Sequence, residues 1–127
     1  IMSAEDHDKI LSLTSHLPHV IAYNIVKTAM GDDEKIKKDI IRYSAGGLRD
    51  FTRIAASNPI MWRDIFIQNK TNTTKAIEKF IANLEDLKNA IENDDGKKLE
   101  EIFIKTKKIR KDIVETGQDV DKPDFGR

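Results

Sequence analysis

Two segments of this chain carry residue types that bind or transform small molecules. In the first, Ser15-His16-Leu17-Pro18-His19, a proline stands inside an otherwise helical pattern. Pro18 has no N–H and its ring crowds the Thr14 carbonyl, so a kink with a freed carbonyl is expected there. Ser15 and His19, four residues apart, share a helix face beside it. Two histidines three apart could begin a metal site. No third ligand stands at a recognised spacing and no His-Glu-x-x-His occurs, so no metal is expected. Ordinary surface histidines on a bent helix remain the alternative to a ligand contact.

The second segment is Gly46-Gly47-Leu48-Arg49-Asp50-Phe51-Thr52-Arg53. Two glycines before a helix allow positive φ and a close backbone approach at a positive helix end. Four of the six arginines (Arg42, Arg49, Arg53 and Arg63) fall between positions 42 and 63, where there is no lysine and Asp50 is the only acid. That window carries +3 in a chain of zero net charge. Arginine suits a partly dry site where a carboxylate is held by two parallel hydrogen bonds. Against this, Asp50 and Arg53 at i and i+3 could form no more than a surface ion pair worth a few tenths of a kcal/mol. The glycines are not a dinucleotide fingerprint, since Gly-x-Gly-x-x-Gly is absent and no strand precedes them. Trp62, within Ile60-Met61-Trp62, reads as core or interface. Ser15 and Thr52 lack a carboxylate–histidine partner at any suggestive spacing, which leaves a hydrolase triad unsupported.

The elements that position these residues are helical. Apolar residues recur at three- and four-residue steps through Ile77, Phe80, Ile81, Leu84, Leu87 and Ile91, and again through Leu99, Ile102, Phe103, Ile109 and Ile113. Between them Asn93-Asp94-Asp95-Gly96 forms a turn whose aspartates can cap the next helix, giving a C-terminal hairpin that ends near Gly117. Asn58-Pro59 opens a helix predicted to run about 35 residues toward Ile91, with a polar middle over 68–74 where a kink, a solvated section or a polar interface is expected. Residues 6–29 form the first helix, stopped by Gly31; residues 32–43 and 48–56 form two short ones. The expectation is an all-α fold of five or six helices over residues 1–117, with an irregular tail at 118–127. A long helix with an apolar stripe needs a cover, which makes a homodimer plausible; a monomeric bundle is the alternative.

The 127 residues suit one domain, with roughly two-thirds of the unfolded surface buried. Charged residues make up 35% and hydrophobic ones 39%, a soluble globular composition. Basic and acidic residues balance at 22 each, nine of each before Lys70, which argues against nucleic-acid binding. Without cysteine there is no disulfide framework and no thiol nucleophile. No apolar run reaches the ~18 residues of a membrane span, and the acidic start is unlike a signal peptide, so a cytoplasmic protein is expected.

The runs HDKILSLTSHLPHVIAYNIV, YSAGGLRDFTRIAASNPIMWRDIFIQNK and ETGQDVDKPDFGR, in that order and over essentially the whole chain, resemble the C-terminal domain of prephenate/arogenate (cyclohexadienyl) dehydrogenases. The resemblance implies the helical fold seen in 6-phosphogluconate dehydrogenase C-terminal domains, intertwined as a homodimer. It implies an N-terminal Rossmann domain that binds NAD or NADP and carries the catalytic histidine. Neither the cofactor site nor the catalytic base is expected in this chain, which begins at the domain junction and alone should be inactive. The family oxidises the ring carbinol of prephenate or arogenate by hydride transfer, with loss of the ring carboxylate as CO₂.

Carried onto matching positions, the resemblance makes Arg53 a bidentate clamp for a substrate carboxylate. His19 becomes a polar substrate contact with Ser15 one turn back. Asp50 would orient Arg53 or bridge to a neighbouring element, Gly46 would bring backbone to this site or the other subunit's, and Trp62 would wall the cleft. The family's glycine loop often places three small residues before a phenylalanine; here Leu48 takes that place. Two other readings stay open. One is a helical dimerisation module with no ligand role. The other is a stand-alone helical enzyme of the same pathway, such as a chorismate mutase, whose long N-terminal helix with an essential arginine is missing because the first arginine here is Arg42.

Overall fold

The computed structural model describes residues 1–117, which are helical with no strand among them. Several helices start where a short polar side chain accepts from the orphan N–H groups of a first turn, or where a proline has no N–H to leave unpaired. Ser3 caps α1 (Ala4–Leu11), accepting from the Asp6 N–H. The chain then passes through one π turn (Ser12–His16) into α2 (Leu17–Met30), which stops at Gly31 with φ 57°. Asp33 caps α3 (Glu34–Arg42), and α4 spans Gly46–Ala55. Asn58 caps α5 (Pro59–Gln68) with Pro59 in the first turn, where its missing N–H costs nothing. After Asn69 come α6 (Lys70–Glu92) and α7 (Gly96–Glu115), the latter capped by Asp95 and followed by Gly117 at φ 79°.

With α1, the π turn and α2 taken as the one continuous run the sequence predicts, the described residues form six helices, inside the expected range. The predicted tail at 118–127 lies outside the described residues.

Three local expectations are corrected. The kink at Pro18 takes the form of a π turn just before it: the Leu17 N–H reaches back five residues to the Ser12 carbonyl, so one extra residue is absorbed and Pro18 enters α2 in its first turn. The 35-residue helix breaks at Asn69, whose backbone (φ −108°, ψ 36°) leaves the helical region. Gly46 and Gly47 do not use positive φ; both lie within the first turn of α4.

The described residues form two compact units, 1–78 and 79–117. In the first, α4 packs along α2, whose Ala22 is fully buried. Trp62, Ala76, Ser12, His16 and Thr73 are the other buried side chains of that unit. Its core is thus small residues around one indole and one imidazole. In the second, Lys98 Nζ bonds Asp86 Oδ1 at 2.6 Å across the turn after α6, so the two segments run antiparallel as the predicted hairpin. No helix among the described residues is long and apolar enough to cross a membrane.

Candidate functional site

The π turn decides where the two histidines point. A regular helix rotates about 100° per residue, so an inserted residue turns everything before it relative to everything after. His16, at the end of the π turn, is buried with 8% of its surface exposed, and its ring meets Trp62 edge-on (centroids 6.1 Å, 83°) and Phe66 likewise (6.5 Å, 70°). His19, one turn on, lies flat on the same indole, with centroids 3.5 Å apart and planes 15° from parallel. Trp62 therefore has one histidine against its edge and another on its face, with Phe66 tilted beside it at 5.5 Å.

Hydrogen bonds fix the His19 tautomer. Its Nδ1 lies 2.9 Å from the Ser15 main-chain carbonyl, which can only accept, so Nδ1 carries the proton. The neutral ring then offers its Nε2 lone pair for a ligand's donor. The carbonyl that His19 meets is that of Ser15 and not the Thr14 carbonyl that Pro18 was expected to free, so Ser15 contributes to the pair through its backbone.

The environment of His16 acts on its charge. Burial holds its pKa below the ordinary value of 6.5, nearby His19 lowers it further, and Asp8 opposes both. A neutral ring is the form this pocket favours.

A second pair sits on α4. Arg53 Nη2 stands 3.9 Å from Asp50 Oδ1, long for a hydrogen bond, with the arginine half exposed and the aspartate largely covered. Among the described residues Asp50 Oδ1 has no hydrogen-bond partner, so the guanidinium fork of Arg53 is neutralised in part but not occupied. The arginine window does not converge as a whole. Arg63 is paired with Asp64 (Nε to Oδ1, 2.9 Å), and Arg42 lies over the Tyr43 ring at 5.4 Å. Gly46 opens α4 one turn ahead of Asp50, behind Ala45, which has no side chain to cap the helix.

The structure places His19 of α2 against Trp62 of α5 and the Ser15 backbone of the π turn, and places Asp50 beside Arg53 on α4, the helix that packs along α2. Sequence reasoning missed His16, Phe66 and Asn69. His16 stood in the same motif but was indistinguishable from a surface histidine, and only the proline beside it signalled irregular backbone. Among the described residues no group of three or more His, Asp or Glu could hold a metal ion.

A family model described as "Prephenate dehydrogenase, dimerization domain" matches residues 3–105. A cyclohexadienyl dehydrogenase of Zymomonas mobilis is 47% identical over 110 residues, covering 87% of this chain and 38% of the relative. A prephenate dehydrogenase of Bacillus subtilis is 37% identical over 109 residues, covering 86% and 29%. The crystal structure of prephenate dehydrogenase from Aquifex aeolicus in complex with hydroxyphenyl propionate and NAD+ has a TM-score of 0.80 at 43% identity, covering 88% of this chain and 39% of that one. The chain spans well under half the length of these relatives.

Proposed function

The chain belongs to the prephenate dehydrogenase family as its dimerisation domain, and from that premise we propose that it also forms the substrate-carboxylate side of the active site. The enzyme it serves oxidises prephenate to 4-hydroxyphenylpyruvate, or arogenate to tyrosine, with loss of CO₂ and reduction of NAD or NADP. Residues 1–117 act as one dimerisation and substrate-binding domain in a homodimer.

The observation that carries the reading is the held imidazole of His19. An exposed histidine samples several rotamers. This one is clamped by a face-to-face indole and a bond to Ser15, so its free nitrogen is presented in one direction without further ordering cost. Arg53, on the helix packed along the one that carries His19, offers its fork to a ring or side-chain carboxylate. Asp50 steadies Arg53, or bridges to a neighbouring element through the oxygen left without a hydrogen bond. Trp62 walls the cleft, Ser15 supports His19 from one turn back, and Gly46 lets backbone approach the ligand. Similarity to a relative crystallised with hydroxyphenyl propionate, an aromatic carboxylate, supports this chemistry.

The described residues do not fit a nicotinamide dinucleotide. Such sites place a glycine loop between a strand and a helix, whereas Gly46-Gly47 opens α4 with no strand before it. The part assigned to this chain is to bind and orient the substrate, and the hydride acceptor is held elsewhere.

The test is Arg53→Ala in a dehydrogenase that has this chain as its C-terminal domain. Losing a charge clamp costs about 3 kcal/mol or more, a fall in kcat/KM of at least ~100-fold. An exposed ion pair contributes little to folding, so the melting temperature should hold. A kcat/KM within a few-fold of wild type sinks the clamp.

A further inference from the structure

Asn69 interrupts the helix between α5 and α6, and its side chain reaches far from its own sequence neighbourhood. The amide Nδ2 donates to the Asp8 carbonyl at 2.9 Å, 61 positions back, and stands 3.2 Å from His16 Nδ1, 53 positions back. The Asn72 amide donates to Asn69 Oδ1 at 3.0 Å. The orientation of the Asn69 amide is dictated from both ends, since a carbonyl can only accept and an NH₂ group can only donate. The second Nδ2 proton must therefore point at a lone pair, so His16 Nδ1 is unprotonated and its proton sits on Nε2. His16 and His19 consequently hold opposite tautomers three residues apart, one against the edge of Trp62 and one on its face.

We propose that Asn69 is a positioning residue: its amide locks His16 as the Nε2–H tautomer against the edge of Trp62, and thereby holds the indole plane on which His19 stacks. A break in a long helix is costly unless its freed groups find partners. Here the residue at the break is tied to the end of α1 and to the π turn, the two places whose relative rotation sets where His16 and His19 point. The proposal rests on the reading of His19 as a substrate contact for its functional meaning, although the geometry is complete without a ligand.

The experiment uses the 127-residue chain without ligand. Long-range ¹H–¹⁵N correlation spectra read the tautomer of each histidine, and the ring protons of His19 report stacking through their upfield displacement by the indole. Wild type is expected to show His16 protonated at Nε2, His19 protonated at Nδ1, and upfield-shifted His19 protons. An Nδ1–H form of His16 in wild type overturns the proposal before any variant is made. Asn69→Asp keeps the size of the side chain and removes both donors. It should move the His16 proton to Nδ1 and abolish the upfield shift of His19 while helical circular dichroism is retained. A folded Asn69→Asp chain with both signals unchanged overturns the proposal. Should that variant lose its helical signal, Asn69→Ala removes the donors without adding a charge and is read in the same way. Loss of a fold alone would not move a tautomer selectively, so these signatures separate positioning from general support. They also stand apart from the Arg53 experiment, which can fail while every one of them is intact.

Discussion

At the scale of single residues, the pocket that orients His19 does so by refusing charge to its neighbour. His16 is covered by Trp62 and Phe66, faces His19, and takes the Asn69 amide on its bare nitrogen, with Asp8 as the one acid pulling the other way. Its pKa is therefore lower in the folded chain than the ordinary 6.5 of an unfolded one. Between those two values the unfolded chain binds more protons, so stability falls as pH falls. The contribution of this ring is complete above about 6.5 and is lost as the pH drops from there through the depressed folded value. The slope cannot exceed about 1.4 kcal/mol per pH unit for one proton. Urea unfolding of wild type and His16→Gln across this window should show the wild type losing stability more steeply on acidification. Parallel curves would mean that His16 is charged as easily folded as unfolded. Protonation would also set an N–H against the Asn69 amide, so acid should loosen the Trp62 platform before the helices melt.

At the scale of elements, the helices announced themselves through their ends. Asn58-Pro59 and the aspartates before Gly96 were legible as starts, and Gly31 and Gly117 as stops, because a cap is a local event between residues two or three apart. Asn58 shows this most plainly, with Oδ1 accepting from the Ile60 and Met61 N–H groups, both at 3.0 Å. Asn58→Ala should cost about 1 kcal/mol in a denaturant titration, and Asn58→Asp should recover most of it. No loss in the alanine variant would mean that α5 is held by packing alone. The irregular elements were not legible for the complementary reason. Periodicity averages over a turn or more, so one extra residue at Ser12–His16 leaves the apolar spacing nearly intact, and Pro18 marked the place without giving the form. For the polar stretch 68–74 a kink was one of three forms expected, beside a solvated section and a polar interface; that the helix ends at Asn69 goes with partners at Asp8 and His16, too distant in sequence for any pattern to connect. The same limit applied to the candidate site: His19 and Arg53 were proposed from sequence motifs and a family resemblance, while the buried His16 and the stacking of His19 on Trp62 came only with the fold.

At the scale of the whole molecule, the second unit leaves a row of large apolar side chains uncovered. In residues 79–117 the buried side chain is Ala90, whereas Ile81, Leu84 and Ile91 of α6 and Phe103, Ile104, Ile109 and Ile113 of α7 are exposed. Leu99, Phe103 and Ile104, with the stems of Glu100 and Lys107, line an open apolar groove of about 370 Å³ along α7. Fully burying one such side chain is worth about 1.5–3 kcal/mol, so a row of them left in water is a strong drive toward association. The matching family model is described as a dimerization domain, and in the homodimer proposed above a second copy would cover this face. Sedimentation of the chain should therefore give a dimer. Phe103→Glu places a charge in the middle of the groove and should weaken association by about 2 kcal/mol or more, a dissociation constant at least ~30-fold higher. Lys105→Ala, on the opposite side of α7 from the groove by helical rotation, should leave it unchanged. A chain that sediments as a monomer at concentrations well above micromolar would overturn the dimer, and a Phe103→Glu dimer as tight as wild type would place the association surface on some other part of the fold.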